Sequence, residues 1–119
     1  MTAQALSSLK RTGLRSIVIV IDNGLYAIEQ FVVESIRGIT PTDERSFFNN
    51  TSVSSVPYLA VERWNYVDLA KSMGLLFARK VATAAELKTA LRDAKDASGP
   101  ALISASVWRR DVPSELRPT

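Results

Sequence analysis

The sequence predicts an α/β fold in which helices cover both faces of a parallel sheet, giving a three-layer sandwich. Apolar stretches near residues 16–22, 75–81 and 101–107 have strand length and alternate with helical patterns. The first contains an unbroken run of β-branched residues, Ile17 to Ile21. Such a run is typical of a central strand buried on both faces, and β-branching disfavours the alternative of a short buried helix. We therefore expect this strand to be central in the sheet.

A first helix is predicted over residues 3–11. Thr2 is a suitable N-cap, and Gly13 stands where a left-handed residue commonly ends a helix. This helix leads directly into the first strand, whereas a parallel strand is normally reached from another strand through a crossover. We therefore expect the preceding strand of the fold to be missing, so that the chain begins within a β–α–β unit.

Three more helices are predicted after the first strand. One begins near Tyr26, where apolar residues recur at helical spacing. A short one is capped by Asn65 and closed by Gly74. The third opens at Thr83, which forms a capping box with Glu86. These helices supply the two outer layers of the sandwich.

Two features concern the margins of the sheet. The strand at 101–107 alternates apolar and small polar residues, which places it nearer the sheet edge. Residues 37–63 form an irregular loop, part of which we expect to pack over the ligand edge of the sheet or against a partner chain.

Three strands with a missing neighbour leave an apolar edge exposed, which predicts a homo-oligomer.

Composition limits the chemistry that the chain can perform. A length of 119 residues with 46% apolar residues predicts one domain with a real core. There is no Cys and no His, which excludes a disulfide framework, a thiolate metal site and a Ser-His-Asp triad. A bound metal would therefore be a hard ion held by oxygen ligands, and acid–base chemistry would need a carboxylate, a Tyr or a cofactor.

Charge and hydropathy limit the partners. The net charge is +3, but Lys and Arg are scattered, so we expect no nucleic acid as partner. No apolar run approaches ~20 residues and the N-terminus does not resemble a signal peptide, so we expect no membrane span. These observations predict a soluble cytoplasmic protein.

The polar turn after the first strand is the candidate functional site, because ligands of open parallel sheets bind beyond the carboxyl ends of strands. Asp22, Asn23 and Gly24 form this turn. One interpretation is a simple turn, since Asn-Gly is a common turn dipeptide. The other is that the amide oxygen of Asn23 and the backbone carbonyl of Leu25 bind Mg²⁺. That ion would hold a phosphate group at the N-terminus of the next helix.

Four stretches of the chain carry a family resemblance. They are Met1-Thr2-Ala3-Gln4-Ala5-Leu6-Ser7-Ser8-Leu9-Lys10-Arg11-Thr12-Gly13-Leu14, Asp22-Asn23-Gly24-Leu25-Tyr26-Ala27-Ile28-Glu29-Gln30, Arg63-Trp64-Asn65-Tyr66-Val67-Asp68-Leu69-Ala70 and Gly99-Pro100-Ala101-Leu102-Ile103. Together they resemble the C-terminal cofactor-binding domain of thiamine-diphosphate-dependent 2-keto-acid decarboxylases, of the pyruvate and indolepyruvate decarboxylase type. The resemblance implies a partial thiamine-diphosphate-binding fold over residues 1–119, with thiamine diphosphate and Mg²⁺ as cofactors.

The resemblance also implies site residues. Glu29 would be the carboxylate near the reacting carbon that relays protons during decarboxylation of a 2-keto acid. A carboxylate at the buried edge of a cleft is suited to this role, since burial raises a carboxyl pKa; the alternative is a solvated helix residue. The implied Mg²⁺ ligands are Asn23 and Leu25, and the implied cofactor-binding residues are Asn23, Gly24, Leu25, Tyr26 and Ile28.

The sequence departs from the family pattern in three respects. Asp22 stands where the family usually has Asn, and Leu25 where it has Gly. The Gly-Asp-Gly motif that begins the family's metal site is absent, as is the pyrimidine-binding domain that activates the cofactor. We therefore expect a fragment or subunit that is inactive alone and needs a pyrimidine-binding domain or chain as partner. The alternative is a non-catalytic α/β interaction module derived from this fold.

Overall fold

The computed structural model describes residues 3–24, 26, 29 and 61–108. Contacts divide the chain into two compact units, Met1–Asp22 with Trp64–Val107, and Asn23–Arg63 with Trp108–Thr119. The regular elements with described bounds all belong to the first unit. They are α1 (Gln4–Thr12), β1 (Ile17–Asp22), α2 (Tyr66–Ser72), β2 (Phe77–Val81), α3 (Ala84–Asp96) and β3 (Ala101–Ser106).

The three described strands form one parallel sheet in the order β1-β3-β2. On one face α3 packs through Ala90 and Ala94 onto Ile103 of β3. On the other face Leu6 of α1 and Ala70 of α2 pack together with Leu102. Helices therefore cover both faces, which confirms the predicted α/β sandwich with a parallel sheet. That the domain extends over residues 1–119 stays a prediction.

The predicted positions of β1 and β3 within this sheet are wrong. Among the described strands, β3 lies in the middle and β1 pairs with β3 alone. Residues 101–105 of β3 are all buried, although the alternation of apolar and small polar residues predicted a strand near the sheet edge. Those small side chains let α3 lie close to the sheet, so the covering helix buries the strand. In β1, by contrast, Ile19 and Ile21 are exposed despite the apolar run.

Most of the predicted helix ends are confirmed. Asn65 Oδ1 accepts the N–H of Asp68 at 3.1 Å and caps α2. Thr83 and Glu86 form the expected capping box at α3, and Gly13 closes α1 with a φ of 68°. At the start of α1 the prediction is wrong. Ala3 holds the N-cap position in place of Thr2 and makes no side-chain capping bond.

Two predictions fall mainly outside the described residues. They are the extent of the helix beginning near Tyr26 and the loop at 37–63, of which only 61–63 are described. In the described part of the chain, no helix is long and apolar enough to cross a membrane.

Candidate cofactor-binding site

The carboxyl ends of the parallel strands meet at one edge of the sheet, and β1 reaches this edge at Asp22. The residue is 8% exposed, so its carboxyl group is largely shielded from water. The N–H of Val107 donates to the Asp22 carbonyl at 3.0 Å, just past the end of β3. This bond extends the β1–β3 pairing to the last residue of β1 and orders the strand end beside it.

Ser106 lies opposite Asp22 at the same edge. The two residues are register partners, and the alternation of side chains puts them on the face where Val18 pairs with Leu102. The hydroxyl oxygen of Ser106 is buried and, within the described residues, has no hydrogen-bond partner. An unsatisfied buried hydroxyl costs about 1–3 kcal/mol, and native proteins usually satisfy such groups with ordered water or a ligand.

Asn23 and Gly24, which follow Asp22 in the turn, belong to the second unit, and Gly24 has a backbone conformation that only glycine adopts readily. Gly24 has a φ of 69°, and its carbonyl accepts the N–H of Val61 at 3.2 Å. A Cβ at this position would lie 2.8 Å from Nε of Arg63. The guanidinium group is therefore packed directly against the glycine, and the turn is compact.

The structure describes part of the predicted site. Asn23 is half-buried, Gly24 is buried, and Tyr26 is exposed. Glu29 is α-helical and exposed in this chain, and its predicted role as a proton relay stays a prediction. The remaining two predicted residues, Leu25 and Ile28, lie outside the described residues.

The donor atoms at this end of the sheet suit a hard metal ion. Asp22 and Ser106, both in the first unit, carry a carboxylate and a hydroxyl oxygen. Oxygen ligands of this kind are those that Mg²⁺ prefers. The described residues contain no group of three or more Asp, Glu, His or Cys that could hold a metal. A Mg²⁺ ion here would therefore keep several waters or take further oxygens from a bound phosphate group.

Comparison with known families identifies the fold. A family model described as "Thiamine pyrophosphate enzyme, C-terminal TPP binding domain" matches residues 1–105. The chain belongs to this family. The match includes the first five described elements, β3 up to residue 105 and the Asp22-Asn23-Gly24 turn, and it supports thiamine diphosphate as the cofactor. No curated protein matches the chain.

Sequence reasoning did not assign Arg63 or Ser106 to the site. Arg63 lies nearly 40 positions after the turn, and nothing in the local sequence predicts that the two pack together. Ser106 did carry a signal, since it is a polar residue at the carboxyl end of a strand. That signal was weak because the alternation of the strand suggested a position near the sheet edge.

Proposed function

We propose that this chain forms the diphosphate-binding part of a thiamine-diphosphate- and Mg²⁺-dependent enzyme that decarboxylates a 2-keto acid without oxidation. The family match over residues 1–105 carries this proposal, because it includes the polar turn at the end of β1. The particular reaction rests on the likeness of the motif running from Asp22 to Gln30 to the decarboxylase branch.

In this proposal the turn holds the cofactor through the metal. Asn23 gives its amide oxygen and Leu25 its backbone carbonyl to Mg²⁺, and a neutral amide limits excess negative charge beside a diphosphate. Gly24 keeps the turn compact. A side chain at this position would strain the backbone, because φ is positive, and would collide with the adjacent Arg63. Tyr26 and Ile28 follow as cofactor contacts.

Glu29 is proposed as the group that moves protons. Thiamine diphosphate, when bound, supplies a nucleophilic carbon and an electron sink. A carboxylate beside that carbon can donate and accept the proton at each turnover. Since Glu29 is exposed in this chain, the surface that shields it from water during catalysis must belong to another domain or chain. We propose a pyrimidine-binding domain or chain as that partner, and we expect the isolated chain to be inactive.

A non-catalytic α/β interaction module is the second candidate. The exposure of Glu29 favours it, because a solvated surface carboxylate contributes little to catalysis. The replacement of the family's Gly by Leu25 and of its Asn by Asp22 points the same way. Such a module would keep the sheet and helices and bind no cofactor in any assembly.

Calorimetry of the isolated chain with thiamine diphosphate and Mg²⁺ is the first test. We expect weak binding or none, since one side-chain ligand leaves Mg²⁺ largely hydrated. Tight, Mg²⁺-dependent binding by the chain alone would contradict the claim that another domain or chain completes the site.

Reconstitution is the second test. The chain is fused to a family segment that carries Gly-Asp-Gly and a pyrimidine-binding domain, and turnover of a 2-keto acid is measured. We expect Glu29→Gln to lower turnover by about 10²–10⁴-fold with little change in cofactor affinity. Asn23→Ala should instead weaken binding of the cofactor and the metal. Glu62→Gln, at an exposed carboxylate, is the matched control.

The outcomes of the reconstitution separate the two candidates. Near-full turnover of Glu29→Gln in an active fusion would contradict the proton-relay assignment. A folded fusion without activity or cofactor binding would favour the interaction module.

Homo-oligomerisation stays a prediction as well. Among the described strands, β1 pairs on one side only, so its outer backbone edge is available for association. We expect a dimer or larger species in sedimentation. A compact monomer at micromolar concentration would contradict this expectation.

A further inference from the structure

Arg63 places a full positive charge against the turn that follows β1. Its Nε and Nη2 atoms would lie 2.8 Å and 3.4 Å from a Cβ at Gly24. The backbone N–H of Val61 donates to the Gly24 carbonyl at 3.2 Å, so the segment that carries Arg63 is also bound to the turn through its backbone. Asn23, Gly24, Val61 and Arg63 all belong to the second unit. The position of the guanidinium beside the turn is therefore a property of that unit alone.

The guanidinium lies close to the proposed metal ligands. Gly24 separates the two residues proposed to bind Mg²⁺, Asn23 and Leu25. Adjacent Cα atoms are about 3.8 Å apart and Mg²⁺–oxygen bonds are about 2.1 Å long, so a metal on this turn lies within roughly 10 Å of the guanidinium. Arginine stays charged at every ordinary pH, and both proposed donors are neutral. Arg63 therefore repels a bare divalent cation at this turn.

A diphosphate group reverses this balance of charge. Its oxygens carry negative charge and can bond to Mg²⁺ and to a guanidinium at the same time. Arginine recognises phosphate through two parallel N–H···O bonds, which are stronger than bonds between neutral groups. A guanidinium has five N–H donors, so a phosphate contact is compatible with other bonds of the same side chain. The charge that repels the bare ion therefore attracts the ion once it is bound to a diphosphate.

We propose that Arg63 binds the diphosphate directly and makes the turn take up Mg²⁺ together with the diphosphate in preference to the bare ion. The proposal rests on the proposed Mg²⁺ turn and adds to it a coupling between metal binding and diphosphate binding. Such coupling is reciprocal, so the metal also raises the affinity of the turn for the diphosphate. The turn thereby discriminates against divalent cations that arrive without their anion.

A purely structural role for Arg63 gives a different expectation. If the guanidinium only kept the turn in its shape, its removal would loosen the turn and weaken the binding of bare and complexed metal alike. A coupling role predicts changes of opposite sign, because the charge acts against the bare ion and in favour of the complex. The sign of the two changes therefore separates these roles.

The test uses the full chain with Mn²⁺ as a paramagnetic substitute for Mg²⁺, since both ions take oxygen ligands. Mn²⁺ alone, or its complex with inorganic pyrophosphate, is added at low salt. Broadening of the Gly24 and Val61 amide signals in NMR spectra measures binding at the turn. We expect the wild-type chain to bind the complex more tightly than the bare ion, and the reverse order would contradict the proposal.

Substitutions of Arg63 measure the coupling. Arg63→Met removes the charge and keeps a long apolar side chain beside Gly24. We expect it to bind the bare ion about fourfold more tightly, the factor that Coulomb's law gives in water at roughly 10 Å. It should bind the complex at least about tenfold more weakly, because charge-assisted hydrogen bonds are lost.

Two further variants serve as controls. Arg63→Lys keeps the charge without the planar fork, so it should leave the affinity for the bare ion unchanged and weaken binding of the complex. Arg92→Met, at an arginine of α3, is the matched control and should change neither affinity. Arg63 and Arg92 are both exposed, so the variants should fold, which the Val61 amide signal verifies at the turn itself. Should Arg63→Met not fold, full affinity of Arg63→Lys for the complex would still refute the proposal.

Three results would overturn the proposal. The first is that Arg63→Met changes both affinities in the same direction or changes neither. If Asn23→Ala weakens binding in that case, the proposed metal turn stands and only the role of Arg63 is wrong. The second is an equal effect of Arg92→Met. The third is that no variant shows broadening at Gly24, which would contradict the proposed metal turn as well.

Discussion

A pair of matched substitutions tests whether β3 or β1 is the interior strand. Ile103 and Ile19 are register partners on adjacent strands, but Ile103 is fully buried and Ile19 is 43% exposed. Changing Ile103 to Ala removes three carbons worth ~0.8 kcal/mol each and leaves a cavity, so we expect a loss of about 3–4 kcal/mol. At Ile19 about half of that transfer energy applies and water fills the space, so we expect about 1 kcal/mol.

Urea denaturation followed by circular dichroism measures both losses. The two variants make the same chemical change in the same sheet, so the change in β-propensity largely cancels between them. The difference in unfolding free energy should be about 2 kcal/mol, against a total stability of about 5–15 kcal/mol for a domain. Ile21→Ala, at a still more exposed position of β1, should cost no more than Ile19→Ala.

Equal losses at Ile103 and Ile19, or a larger loss at Ile19, would refute the reasoning, since they would mean that β1 is as enclosed as β3. Repeating the measurement at several protein concentrations provides a control. A loss at Ile19 that grows with concentration would show that the residue is covered only on association.

Three further predictions concern single positions. Gly24→Ala should lower the melting temperature more than Gly13→Ala, because both have a φ near +68° but only Gly24 lies against Arg63. Backbone N–H groups of Ala82 and Thr83 hold the pKa of Glu86 below its ordinary 4.5, so its stabilisation is complete above that pH and is lost as pH falls through the lowered pKa. Glu86→Gln should therefore flatten the acid limb of a stability–pH profile. Ser106→Ala should raise the stability of the isolated chain by about 1 kcal/mol, because it removes an unsatisfied hydroxyl, and should weaken Mg²⁺ and cofactor binding in the reconstituted fusion. A destabilised Ser106→Ala variant would show that the hydroxyl has a partner in the folded chain.

Local signals in the sequence predicted the described elements well. Strand positions and the capping box at Thr83 depend on residues close in the chain. The capping box is confirmed, and the three strands lie within the predicted ranges, although β2 begins at Phe77 and not at residue 75. Strand order could not be predicted in the same way. The burial of β3 results from α3 approaching closely over Ala90 and Ala94, which is a tertiary effect that hydropathy along one strand does not record.

The candidate site was predictable only where its residues are consecutive. The turn after β1 is visible as Asp22-Asn23-Gly24 following an apolar run, and the family match includes it. Residues brought to it from far along the chain, such as Arg63 against Gly24, carry no local signal. The exposure of Glu29 was also beyond sequence reasoning, because burial depends on which surfaces enclose a side chain.

A bond from the guanidinium of Arg15 to the carbonyl of Lys95, 2.6 Å long, has a consequence for how the domain assembles. The two residues are 80 positions apart, so β1 and α3 meet only after most of the chain has been brought together. β2, α3 and β3 follow one another directly and can form through local contacts, whereas β1 must close a long loop to pair with β3. Loop-closure entropy grows slowly, by only about 0.6 kcal/mol for each doubling of loop length. Closing the chain between β1 and β3 is therefore a modest cost in free energy, while the separation in sequence makes the pairing of β1 a late step of assembly.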